Sequence, residues 1–143
     1  MGFSDCIRVN CDRREAFKAL TTTISKWWGH QDNPILRIGD VFKVSWGEPW
    51  YQFEVTRFDH GSAVNWKCID ANQIIDGLES VEKEWVGTEI QWNIDPISED
   101  QCEVSMMHVG LTHKLVCYEF CSSTWHRFLH IELKNYLESK HSS

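Results

Sequence analysis

His108 and Glu132 are the two residues of this chain best suited by type and position to move a proton. His108 closes an alternating run of Cys102, Val104, Met106 and His108, whose phase turns all four toward the inside of a sheet. Glu132 falls between Phe128 and Tyr136, within the apolar stripe of a C-terminal helix, where an unpaired carboxylate is costly. Facing one another, the two would make a polar end to an apolar pocket, orienting a ligand or acting as acid and base. The plainer alternative is a buried structural pair, or a Glu132 that curves out to solvent at the edge of the stripe. Asp70 and Tyr118 stand behind them as further candidates.

A second constellation has the residue types of a metal centre. His108, His113, Cys117 and Cys121 fall within fourteen residues, at spacings used by zinc ligands. Cys117 and Cys121 are one helical turn apart, and thiols at the start of a helix can be acidified into a redox pair. Against a site, His108 is turned inward and His113 lies in a loop. Two buried cysteines packing as small apolar residues is therefore the preferred reading, and no metal is expected. His126 and His130 share a helix turn on the flank away from Trp125 and are expected to face solvent. The sequence holds no Gly-x-Ser-x-Gly elbow, phosphate loop or dinucleotide fingerprint, so an enzymatic role is the lesser expectation.

A sheet and one long helix must position these residues. From Trp125 onward, Phe128, Leu129, Leu133, Tyr136 and Leu137 recur at three- and four-residue steps, which gathers them on one helical face. Upstream the period changes to two. Phe3, Ile7 and Val9 alternate with polar residues; so do Phe42, Val44 and Trp46, then Tyr51, Phe53 and Val55, then Val64, Trp66 and Cys68, then Thr88, Ile90, Trp92 and Ile94. Gly47, Pro49, Asp59 and Gly61 punctuate these runs, and Pro96 to Asp100 reads as a turn. Asp12, three residues before Glu15, opens a short helix burying Ala16, Phe17 and Leu20. A second short helix is expected from Ile24 to Trp28, ending at Gly29. Residues 71–84 carry helix and strand signals equally, as a lid or a connecting strand, and the tail from Ser139 to Ser143 is expected to be disordered. The order of elements predicts an α+β fold in which a curved antiparallel sheet wraps the C-terminal helix.

Composition narrows the partners. The 143 residues fit one domain, 1–143. Eight Trp and 13% aromatic residues point to an interior of large flat side chains. A formal net charge of −7 without a basic cluster disfavours nucleic acid and anionic membrane surfaces. The N-terminus shows no basic start followed by an apolar run, so the six Cys are expected to be free thiols in a cytoplasmic setting.

Four segments carry a resemblance to a known superfamily: SKWWG (Ser25–Gly29), EWVGTEIQWNI (Glu84–Ile94), HVGL (His108–Leu111) and CYEFCSSTW (Cys117–Trp125). With the order of elements, they make the chain similar to the START-like, or SRPBCC, helix-grip superfamily that includes the birch-pollen allergen. Within it, the chain resembles a bacterial branch similar to activators of a heat-shock protein ATPase. The resemblance implies a helix-grip fold, an apolar cavity between sheet and helix, and no metal or cofactor. It does not fix one function, since members include lipid carriers, polyketide cyclases, hormone receptors and chaperone activators. The segment Trp46-Gly47-Glu48-Pro49-Trp50 departs from the pattern, and no counterpart of the eukaryotic activators' separate N-terminal domain is expected.

Trp28, Trp46, Phe53, Trp66, Trp92, Met106, His108, Trp125, Phe128, Leu129 and Glu132 are accordingly expected to line the cavity. The first function expected is binding of a small, largely apolar molecule. The second is a protein-interaction module acting on a chaperone. The third is a cyclase- or dehydratase-type enzyme, with His108 and Glu132 as its catalytic pair.

Overall fold

Alternating apolar residues build one seven-stranded antiparallel sheet in a computed structural model, of which residues 1–141 are described. Its strands are β1 (Gly2–Val9), β2 (His30–Gln31), β3 (Val41–Ser45), β4 (Trp50–Asp59), β5 (Ala63–Asn72), β6 (Glu89–Ser98) and β7 (Gln101–Val109). They lie in the order β1-β7-β6-β5-β4-β3-β2. After β1 the chain crosses to the opposite edge through helix α1 (Arg13–Ala19) and a 3-10 turn (Ile24–Lys26), then meanders back until β7 pairs with β1. Register shifts at Gln52/Phe53 and Val55/Arg57, where β4 meets β5, give the sheet its bend.

The concave face collects the residues whose period of two marked them as interior. Phe42 and Val44, Phe53 and Val55, Trp66 and Cys68, Ile90 and Trp92, and Val104, Met106 and His108 are all buried. Across this face runs the C-terminal helix, made of α2 (Tyr118–Arg127), a π-helical segment (Phe128–Leu133) and α3 (Lys134–His141). The fold is the α+β helix grip expected from the sequence.

The π-helical segment corrects the placement of Glu132. Trp125, Leu129, Leu133 and Leu137 are buried at a strict four-residue step. In a regular α-helix that series drifts around the axis, because four residues exceed one turn. A π turn, bonding i to i+5, advances less per residue and pulls the series back into line. Glu132 then falls short of the stripe and lies exposed, whereas His108 is buried.

Smaller departures have local causes. The expected helix from Ile24 to Trp28 is only a 3-10 turn, with the Ile24 amide donating to the Gln31 side chain at 3.2 Å. Asp12 caps α1 as expected, its Oδ1 accepting from the Glu15 amide at 3.0 Å. Residues 71–84 are neither helix nor continuous strand: β5 ends at Asn72 and a loop follows. Buried Gln73 ties that loop together through its amide to Glu82 O (3.0 Å) and its side chain to Val81 O (3.0 Å). Strand β6 continues through Pro96 to Ser98, with irregular pairing at the proline, so the turn is confined to residues 99–100. Helix α3 reaches His141, and the rest of the expected tail, Ser142 and Ser143, lies outside the described residues. Among the described residues, no helix is long and apolar enough to cross a membrane.

Candidate functional site

A cavity of about 170 Å³ opens at one end of the grip, between α2, strand β4 and the loop after β5. Trp28, Trp46, Tyr51, Trp85, Phe120, Trp125 and Phe128 form its aromatic walls, with Pro49, Ile74, Ile75, Cys121 and Thr124 between them. Each element contributes for its own reason. Trp28 follows the 3-10 turn, the turn after β3 delivers Trp46, β4 delivers Tyr51, α2 presents Phe120 and Trp125, and the π-helical segment opens with Phe128.

The rings share an orientation. Trp28 lies within 1° of Tyr51, 17° of Trp85 and 21° of Trp125. Tyr51 stacks on Trp85 with centroids 4.0 Å apart, and Trp85 follows Trp125 at 5.9 Å and 16°. Trp46 closes the arrangement edge-on, at 80° to Trp28 and 81° to Tyr51. At these separations the rings pack on one another, and the cavity opens beside them as an aromatic-walled slot where a flat guest can meet the exposed ring faces and edges.

The side-chain polar atoms of Tyr51, Trp46, Trp85 and Cys121 are already engaged by the protein. Tyr51 donates to Gln73 Oε1 at 2.5 Å, and Trp46 Nε1 donates to Trp28 O at 2.8 Å. Trp85 Nε1 donates to Cys121 Sγ at 3.4 Å, whose thiol donates to Gln73 Oε1 at 3.3 Å. Burial pushes the Tyr51 phenol well above its ordinary pKa, and the hydrogen bond with Cys117 together with burial pushes the Cys121 thiol up. Both lining groups are therefore neutral, and no charged residue lines the slot. The volume is below the roughly 300–1,000 Å³ of drug-sized pockets and close to the roughly 150 Å³ apolar cavities that take benzene.

His108 sits behind the slot rather than in it. An indole N–H can only donate, so the 3.0 Å bond from Trp125 Nε1 makes His108 Nδ1 the acceptor and places the proton on Nε2. That proton faces Thr88 Oγ1 at 2.8 Å, and the hydroxyl donates to Trp85 O at 2.6 Å. The Trp85 ring also meets the imidazole edge-on, 4.5 Å between centroids. One buried chain thus fixes the positions of two walls. Desolvation pulls the His108 pKa down from 6.5 to about 3, so the ring is neutral near pH 7.

Of the residues expected to line a cavity, Trp28, Trp46, Trp125 and Phe128 do so. Phe53, Trp66, Trp92, Met106 and Leu129 instead pack the solid core below, His108 buttresses it, and Glu132 is exposed. Large side chains on a curved face fill the middle of the grip, and the cavity lies at its end. Pro49, Tyr51, Ile74, Ile75, Trp85, Phe120, Cys121 and Thr124 were missed; the EWVGT segment held the signal for Trp85, but its loop has no period to reveal its direction. The histidine–cysteine constellation is not assembled: His113 is exposed beside the Tyr118 ring, while Cys117 and Cys121 are buried against the grip. Asp70 is on the surface, paired with Lys83 at 2.8 Å, which holds its carboxyl below the usual range.

Gly29 shows how closely the Trp46 wall is seated. A Cβ at this position would lie 2.5 Å from Trp46 Cε2. Gly29→Ala is expected to push the indole off its bond to Trp28 O and weaken binding of a slot ligand at least tenfold, while costing about 1–3 kcal/mol by overpacking. Binding and urea titrations of the same variant check both parts; unchanged affinity would show that Trp46 is not a wall of the binding site.

No protein-family model matches the chain, and no curated protein matches it in sequence. Similarity is found among solved structures. The Aha1 dimer from Colwellia psychrerythraea superposes with a TM-score of 0.76 at 23% identity, covering 96% of each chain. An HSP90 activator from Plasmodium falciparum gives 0.66 at 17% identity, covering 91% of each. DynU16, from the dynemicin biosynthetic locus, gives 0.70 at 17% identity over 96% of this chain and 47% of its own. What these proteins share with this chain is the helix-grip fold.

Proposed function

We propose that this chain is a START-like binding domain that encloses a small, flat, largely apolar molecule in the aromatic slot at the end of the grip. The observation that carries this is the set of four near-parallel rings, Trp28, Tyr51, Trp85 and Trp125, around a space without a charged lining residue. Such a site selects by shape and stacking, and it discriminates against charged guests because nothing would replace their lost hydration. Trp28, Trp46, Trp125 and Phe128 act as contact residues, and His108 as a positioning residue through Trp125 and Trp85. The six free thiols fit a reducing, cytoplasmic setting, and the acidic balance fits neither nucleic acid nor an anionic membrane as partner.

Native mass spectrometry of the protein purified under reducing conditions tests the proposal. An organic adduct that disappears in Thr124→Trp, which fills the slot from α2, is the expected result. An adduct equally abundant in both forms would place the ligand elsewhere and overturn the assignment.

A chaperone-directed interaction module is the second reading, favoured by exposed Phe120 (50%) in the first turn of α2 and Val116 (57%) just before it, and by the fold shared with an HSP90 activator. It predicts stimulation of a chaperone ATPase that is lost in Phe120→Ser but survives Thr124→Trp. The enzymatic reading, with His108 and Glu132 as the pair, has the least support, because His108 is hydrogen-bonded at both nitrogens and Glu132 lies on the outer face of the helix.

A further inference from the structure

The inward face of β1 carries one residue that does not belong to an apolar core. Phe3, Ile7 and Val9 point toward the C-terminal helix, and Asp5 shares their phase. Its side chain is only 16% exposed, so its carboxylate needs partners. The helix supplies His126 and His130, four residues apart. His126 Nδ1 lies 3.0 Å from Asp5 Oδ2, and His130 Nε2 lies 3.1 Å from both carboxylate oxygens. The two imidazoles stack with centroids 4.1 Å apart and planes 28° apart, which brings both ligating edges to the same carboxylate. The Cys6 amide donates to Asp5 Oδ1 at 2.9 Å and holds the carboxylate in this orientation.

We propose that Asp5, His126 and His130 form a three-ligand site for a borderline divalent transition metal of the zinc class. Two imidazoles and one carboxylate are a donor set that such ions prefer over the hard oxygen-binding cations. The three ligand atoms lie within 4.8 Å of one another. Bonds of about 2.0–2.1 Å in a tetrahedron separate ligands by about 3.3 Å, so the observed 3.0–3.1 Å contacts need only a small opening to admit the ion. The Cys6 amide acts on the carboxylate as an outer-shell partner. His126 is 64% exposed and His130 36%, which leaves a path in and a fourth position for water. Because Asp5 is on the edge strand and the histidines straddle the α2–π junction, the ion would clip β1 to the C-terminal helix.

Cobalt and zinc titrations of the whole protein at pH 7.5 test this. One Co²⁺ per chain is expected, with visible bands of nitrogen and oxygen coordination and no thiolate charge-transfer band. Zn²⁺ at a hundredfold excess over its dissociation constant should raise the melting temperature by roughly 5–10 °C. Asp5→Asn, His126→Ala and His130→Ala should each weaken Co²⁺ at least tenfold, whereas Cys6→Ser should not. Metal-free melting curves show whether each variant is folded. Absence of Co²⁺ uptake by the wild-type protein overturns the site. So does uptake that survives the His126→Ala/His130→Ala double variant, which would assign the metal to other ligands, or that carries a thiolate band, which would assign it to the cysteines.

Discussion

Replacing Trp28 by alanine is expected to destabilise the protein by about 4–5 kcal/mol, the upper part of the range for buried large-to-small changes. Trp28 is 7% exposed and meets seven other rings: Trp27, Trp46, Tyr51, Phe53, Trp66, Trp85 and Trp125. It joins the solid core beneath the slot to the walls above, so its loss opens a void that neither layer can close. Aromatic pairs add about 0.5–1.5 kcal/mol each beyond area burial, although the terms are not additive. Against a total stability of about 5–15 kcal/mol, the variant would be partly unfolded at 37 °C. A urea titration compares it with Trp28→Phe, which retains a flat ring and is expected to lose about half as much. A loss below about 1.5 kcal/mol in Trp28→Ala would mean that the cluster relaxes around the void and that Trp28 is not its centre.

The second large effect belongs to His108. His108→Ala leaves the buried Trp125 N–H without an acceptor and opens a void between β7 and α2, for an expected loss of about 3–5 kcal/mol. Its protonation gives an independent handle. The folded pKa is lowered from 6.5 to about 3, so between those values the unfolded chain binds a proton at this site and the folded one does not. Stability from His108 is complete above pH 6.5 and is lost as the pH falls toward 3, at up to about 1.4 kcal/mol per pH unit. The whole window amounts to about 4–5 kcal/mol. In His108→Gln, whose amide can still pair with Thr88 but does not titrate, stability measured by urea between pH 7 and 4 is expected to fall less steeply by that slope. Parallel curves for the two proteins would contradict a desolvated, neutral His108.

The same residue shows how far the sequence could be read. Its inward phase was legible because one face of β7 is buried, which ties side-chain direction to position. Its partners were not. Trp125 lies on the stripe that periodicity identified, yet nothing in the spacing says that the indole N–H meets the imidazole. Glu132 looked the better partner because an ideal helix puts it between Phe128 and Tyr136, and only the π-helical segment takes it to the surface. The slot was hidden for a related reason. Its loop wall is set by side-chain bonds, those of Gln73 beside Ile74 and Ile75 and that of Thr88 to Trp85 O, rather than by a repeating pattern. Strands and the buried helical face follow from local order, while the space between them depends on how a loop closes.

An equilibrium titration of the wild-type protein and Thr124→Trp with naphthalene, followed by quenching of tryptophan fluorescence, tests the central claim most directly. Saturable one-to-one binding to the wild-type protein, weakened at least tenfold in Thr124→Trp, is the predicted result. No saturable binding to the wild-type protein, or equal binding to both, would contradict an aromatic slot that binds flat apolar molecules.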